Sequence, residues 1–160
     1  MISLWVINII IVECFTDEFL VRLLGFSRIK HESGKGKVLK SISNKPGAIG
    51  IIDEDPDSDQ PKERKEYFEI ESGSQIKLLT KRDDESKKVI QICPRLEEWI
   101  LDRAKQNHVS PRNFGLSNDP NDLHIPHIER RKNFQKFMKE IIEKDDVEMK
   151  MLKKWLMTGQ

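Results

Sequence analysis

Trp5-Val6-Ile7-Asn8-Ile9-Ile10-Ile11-Val12-Glu13 is an apolar run, rich in Ile and Val, that ends on an acid. Runs of this kind belong to central parallel strands covered on both faces. Working outward, Thr16 is positioned to cap a following helix, with Asp17 and Glu18 in its first turn. Phe19, Leu20, Leu23 and Leu24 supply the apolar face of that helix, and Gly25 stops it. Residues 26–31 read as a short strand. Ser33-Gly34-Lys35-Gly36-Lys37 follows as a glycine-broken loop, and residues 38–43 as a helix closed by Asn44-Lys45-Pro46-Gly47. Residues 48–52 repeat the buried-strand pattern and again end on acids, Asp53, Glu54 and Asp55. Strand–helix–strand–helix–strand predicts an α/β fold: a compact, mainly parallel sheet with right-handed crossovers, flanked by helices.

Beyond this unit, residues 56–66 are acidic, proline-bearing and lysine-bearing, the character of a long surface loop. Short strands are expected at 67–70, 76–80 and 89–92, the first two joined by a turn at Ser72-Gly73-Ser74. Pro94 opens a helix that runs to Gln106, and residues 110–126 are rich in Pro, Asn and Asp and form loops. Residues 128–144 make an amphipathic helix with Phe134, Phe137, Met138, Ile141 and Ile142 near one face. A last segment carries Met151, Leu152, Trp155 and Leu156 among lysines. The expected division is a core at 1–126 and a C-terminal helical extension at 127–160. A core already covered by the preceding helix would leave Trp155 exposed, so residues 146–157 are expected to dock another protein chain.

Composition narrows the function. The chain has 160 residues, room for one domain with a single core, and its 37% hydrophobic content excludes a disordered chain. Basic and acidic residues number 28 and 27, so any nucleic-acid surface must arise from local segregation of charge, with Arg130 to Lys136 as one candidate strip. Cys14 and Cys93 are too few and too far apart for a disulfide framework or a Cys-rich zinc site. The opening apolar run lacks a basic leader and a cleavage site and is too short to span a bilayer. The expectation is a cytoplasmic protein that makes no membrane contact.

In an open α/β sheet, functional side chains collect at the carboxyl ends of strands. Acids stand there twice: Glu13 after the first strand, and Asp53 with Asp55 after the third. Residues two apart on a strand share a side, so Asp53 and Asp55 pair while Glu54 points away. Oxygen-only ligands of this kind suit Mg²⁺ or Mn²⁺ rather than zinc. The glycine-rich loop with Lys35 and Lys37 is not a Walker A motif, because Val38 follows Lys37, but its edge of the sheet suits phosphate positioning. His124-Ile125-Pro126-His127 reads as a loop without a nearby third ligand.

The run Ile10-Ile11-Val12-Glu13 followed by Thr16-Asp17-Glu18-Phe19-Leu20 resembles the opening motif of Toprim domains. Gly50-Ile51-Ile52-Asp53-Glu54-Asp55-Pro56 resembles the D-x-D motif of the same superfamily. Pro94-Arg95-Leu96-Glu97-Glu98-Trp99-Ile100-Leu101 is similar to a helix start found in RloB-like proteins, which adds Glu97 to the acids. The resemblance covers roughly residues 4–102. It implies a Mg²⁺-dependent endonuclease acting on DNA or RNA, of the small OLD-type and RloB-like kind found in bacterial anti-phage defence. Glu13, Asp53, Asp55 and Glu97 would be its metal ligands, and Lys35 or Lys37 would stabilise phosphate charge. Cys14 stands where the Toprim opening has glycine, and no histidine lies near it in sequence to make it a nucleophile. Primases and topoisomerases of the superfamily need further domains, and topoisomerases a catalytic tyrosine; Tyr67 is the only tyrosine here. Similar small Toprim proteins are coupled to ABC-type or SMC-like ATPases. A regulatory subunit of such a complex, or a homo-oligomer joined through the C-terminal helix, is therefore the alternative expectation.

Overall fold

The computed structural model describes residues 9–158. The stretch from Trp5 to Asn8 in the predicted opening strand lies outside them, and β1 is Ile10–Val12. There follow α1 (Phe15–Leu23), β2 (Ile29–His31), α2 (Lys35–Asn44), β3 (Ile49–Asp53), β4 (Tyr67–Ser72), β5 (Ile76–Lys81) and β6 (Asp84–Ile92). The remainder is helical: α3 (Leu96–Gln106), the short α4 (Pro120–Leu123), α5 (Lys132–Lys144) and α6 (Val147–Thr158). Single 3₁₀ turns occupy Lys62–Glu66, Pro111–Phe114 and Ile128–Arg130.

The sheet has six strands in the order β2-β1-β3-β6-β5-β4. β2, β1, β3 and β6 are mutually parallel, and β5 and β4 extend the sheet as an antiparallel pair. The α/β class and the mainly parallel sheet expected from the sequence are present. Side-chain alternation splits the core into two layers. Ile10, Val12, Ile49, Ile51, Ile90 and Ile92 face a large cluster under α1, α3, α5 and α6. Ile11, Ile52, Leu79 and Val89 face a smaller one under α2. Gly50 lets α2 lie close on β3: a Cβ there would stand 2.4 Å from the Ile42 Cδ1 atom.

Three local expectations are corrected. Thr16 does not cap α1; Cys14 does, its Sγ accepting the Asp17 N–H at 3.4 Å. Lys35 and Lys37 lie in the first turn of α2 rather than in a loop, because Gly34 takes φ 97° at the N-cap and starts the helix early. The C-terminal segment is not an exposed docking helix. Met149, Leu152, Trp155 and Leu156 are buried in the same cluster as the sheet, together with Phe134, Phe137, Met138 and Ile141 of α5. The antiparallel β5–β4 extension enlarges the sheet beyond what α5 covers, and α6 fills the remainder. Buried Glu148 fixes it there, accepting the N–H groups of Ser74 (3.3 Å) and Gln75 (3.0 Å) in the β4–β5 turn. The exposed Trp155 expected at 146–157 is therefore absent and most of the apolar face of α6 is part of the core, while Val147 and Met157 of that segment are exposed.

Candidate metal centre

β1, β3 and β6 are neighbours and point the same way, so whatever follows each of them meets at one edge. Glu13 follows β1, Asp53 ends β3, and Glu97 lies in the first turn of the helix after β6. The Glu13 Oε1 atom accepts the Asp53 N–H at 2.8 Å. Asp53 Oδ1 in turn accepts the Leu96 N–H at 3.1 Å, tying the end of β3 to the start of α3. Each of these carboxylates keeps a second oxygen outside those bonds. The structure thus brings Glu13 and Asp53 together, as their places at strand ends imply, and with them Glu97, which only the resemblance to RloB-like proteins adds.

A fourth acid joins them. Asp17, one turn into α1, is completely buried, and only the thiol and backbone N–H of Cys14 stand near its carboxyl oxygens, neither at regular hydrogen-bond geometry. Glu97 is almost as deep, with Oε2 unpartnered and Oε1 3.0 Å from His124 Nδ1. Burial, then the charges of Asp17 and Glu13, pushes the Asp53 carboxyl up to about 10. Burial and the charge of Glu13 push Asp17 up to about 8. Glu13 is raised by burial as well, against the Asp53 N–H and Lys35, which favour its charged form. Crowded carboxylates in a low-dielectric pocket hold protons unless a cation joins them.

Asp55 stands at the rim. It is half-buried at φ 40°, and its charge reaches both Glu13 and Arg95. Glu54 turns the other way, toward Arg64 and Cys93, as expected from the two-residue period. Lys35 departs from expectation. Its ammonium donates to the Glu54 carbonyl (2.8 Å), Ser58 Oγ (3.0 Å) and Gln60 Oε1 (3.1 Å), which uses all three of its protons. Lys35 is thus a tether for the segment after β3, and its role in phosphate binding is not seen. Lys37 is exposed and donates to Ser33 Oγ. Arg103, one of the basic residues after β6, is buried and paired with Asp146 at 2.8 Å. Burial pushes the Cys14 thiol well up, which removes it as a nucleophile.

Among the described residues, no group of three or more His, Cys, Asp or Glu side chains is already arranged to hold an ion. The donor chemistry nevertheless fits a hard divalent cation. It offers carboxyl oxygens only, and the poorly satisfied carboxyl of Asp17 and the unpartnered Oε2 of Glu97 are of the kind such an ion satisfies. Closing on the ion calls for side-chain rotation at a site whose backbone is already in register. Sequence reasoning placed Asp17 in the first turn of a helix and missed its burial. The available signal was its position one turn beyond Glu13, which returns it toward the strand end. Nothing local in the sequence could have brought His124 to Glu97 across the intervening strand-free segment. No family model, curated protein or solved structure matches the chain.

Proposed function

We propose that the chain is a cytoplasmic, Mg²⁺- or Mn²⁺-dependent nuclease that hydrolyses phosphodiester bonds. One observation carries this reading: Glu13, Asp17, Asp53 and Glu97 are gathered at the carboxyl edge of three parallel strands, with Glu97 Oε2 unpartnered and Asp17 buried with only Cys14 beside its carboxyl. Those four residues would hold the cation, with Asp55 at the rim. When bound, a divalent ion supplies a Lewis acid for the phosphoryl oxygen and eases deprotonation of an attacking water. Glu13, raised by burial and steadied by the Asp53 N–H, is placed to take that proton. Asp53 holds the start of α3 in position, which keeps Glu97 aimed at the same point. Lys35 fixes the segment that carries Asp55. Among the described residues no helix is long and apolar enough to cross a membrane. The resemblance to small Toprim nucleases, rather than the geometry, supplies the expectation of an anti-phage role and an ATPase partner.

The test is titration calorimetry with Mg²⁺ and Mn²⁺, followed by incubation with labelled DNA and RNA. Binding and cutting that both disappear with chelator support the reading. An Asp17→Asn, Asp53→Asn double variant that still binds metal would remove it.

A further inference from the structure

Next to the carboxylates, where β1 and β2 end, lies a pocket of about 510 Å³ whose lining includes Cys14, Phe15, Glu97, His124, Pro126 and His127. Most of its wall is carbon. Phe15, the first residue of α1, is 48% exposed although it is a large apolar side chain. Its ring lies flat on His31, the last residue of β2, with centroids 4.3 Å apart and planes 2° apart. One face is therefore backed by a ring that the sheet itself positions. His127 stands on another side of Phe15, at 6.4 Å and tilted by 32°. A flat ring held between two others needs roughly 7 Å, twice the rise of about 3.4 Å between stacked bases. His127 is exposed and sits at φ 61° in the segment after α4, outside the sheet, with Glu129 Oε1 3.8 Å from its Nδ1, so a base enters only if that ring turns aside.

We propose that this pocket takes an unpaired nucleobase, stacked on Phe15, beside a phosphate engaged at the carboxylates, so that the substrate is single-stranded nucleic acid. The placing of the phosphate rests on the nuclease reading; the stacking does not. Glu97 belongs both to the pocket and to the carboxylate centre, which makes the two sites neighbours along one strand of nucleic acid. Flat rings recognise a base through its π-face, which every base has and which an aliphatic ligand lacks. In a duplex that face is already stacked and the base edge already paired, so a duplex base must first be extruded at a cost that a single strand does not bear.

The experiment uses the full chain with Ca²⁺ replacing Mg²⁺ and fluorescence anisotropy of short labelled oligonucleotides. Single-stranded DNA, single-stranded RNA and the matching duplex are compared, and a 2-aminopurine probe reports stacking. Single strands should bind on the order of 10-fold tighter than duplex, and Phe15→Ala should lose on the order of 10-fold for single strands alone. Phe15→Trp should retain binding, and 2-aminopurine emission should be quenched by the parent chain and by Phe15→Trp but not by Phe15→Ala. Whichever of the DNA and RNA single strands binds tighter identifies the sugar. Equal affinity for duplex, indifference to Phe15→Ala, or no binding of either strand would overturn the pocket. Duplex cleavage unaffected by Phe15→Ala would leave the nuclease reading intact and remove the pocket. Single-strand binding without any Mg²⁺-dependent cutting would do the reverse.

Discussion

Asp53 serves structure and site with one carboxyl group, and this decides how it should be mutated. Asp53→Ala would strip the acceptor from the Leu96 N–H and loosen the start of α3. Asp53→Asn keeps an acceptor and removes the carboxyl that burial, with the charges of Asp17, Glu13 and Glu97, holds protonated in the metal-free chain. We expect Asp53→Asn to reduce metal-dependent cleavage to background. Its metal-free melting temperature at neutral pH should stand above the parent's by about 2–4 °C per kcal/mol gained, because an asparagine needs no proton taken up on folding. Calorimetric scans with chelator, beside a cleavage assay, check both halves. A lower melting temperature would show that Asp53 is chiefly structural. The same crowding sets a pH dependence. Asp17 and Asp53 have folded values raised to about 8 and about 10, from unfolded values of roughly 4. The stability they contribute is fully present below the unfolded value and is lost as pH rises through the folded ones. Asp146 acts in the opposite window. Burial alone would raise it, but the Met149 N–H, Asn107 and Arg103 outweigh burial and hold it low, so its contribution is lost in acid. The metal-free chain should therefore be most stable in mild acid and weaken steadily toward alkaline pH, and Mg²⁺ should flatten that decline. Melting temperatures across pH, with and without Mg²⁺, test it; an alkaline slope that ignores Mg²⁺ would dissociate the carboxylates from the ion.

Elements were legible where periodicity and packing agree and illegible where a single backbone torsion decides. β1 and β3 announced themselves as Ile-rich runs because both of their faces are covered, by α2 on one side and by the other helices on the opposite side. α5 was equally plain, since Phe134, Phe137, Met138 and Ile141 recur at helical spacing and are all buried. The start of α2 was not, because two glycines and two lysines suggest a loop until Gly34 is seen at positive φ. That shift changes what Lys35 does: from the first turn it reaches the segment after β3 and bonds Glu54, Ser58 and Gln60. Lys35→Met should cost about 1–3 kcal/mol by orphaning those acceptors, and should speed hydrogen exchange of the amides at 54–60. Cleavage should fall partially rather than disappear, because Glu13, Asp17 and Glu97 are untouched. Loss as complete as that of Asp53→Asn would return Lys35 to the phosphate.

At the scale of the whole molecule, the candidate site is a product of strand order. Glu13, Asp53 and Glu97 are far apart in the chain and adjacent only because β1, β3 and β6 lie side by side and parallel. The sequence carried the first two of these acids as strand-end signals, and Glu97 only through the resemblance of its helix start to RloB-like proteins. Asp17 was hidden by its resemblance to an ordinary first-turn acid, and the contact of His124 with Glu97 depends on how residues 107–131 pack, which has no local signature. Pattern alone also misjudged α6, since apolar residues at helical spacing look the same whether they face a partner or their own sheet. Their destination is internal: Met149, Leu152, Trp155 and Leu156 are each no more than 2% exposed. Trp155 Nε1 also donates to Glu71 of β4. Burying four such side chains contributes on the order of 10 kcal/mol, comparable to the whole margin of about 5–15 kcal/mol by which domains are stable. A chain ending before Val147 should therefore fail to fold or melt far below the parent, whatever its oligomeric state. Glu148→Ala is the gentler arm. It removes the acceptor for Ser74 and Gln75 while leaving the apolar face in place, and should cost about 1–3 kcal/mol in urea unfolding with the site chemistry unchanged. A truncated chain that keeps the parent's unfolding midpoint would show that α6 is an appendage after all, and would restore its apolar face to partner binding.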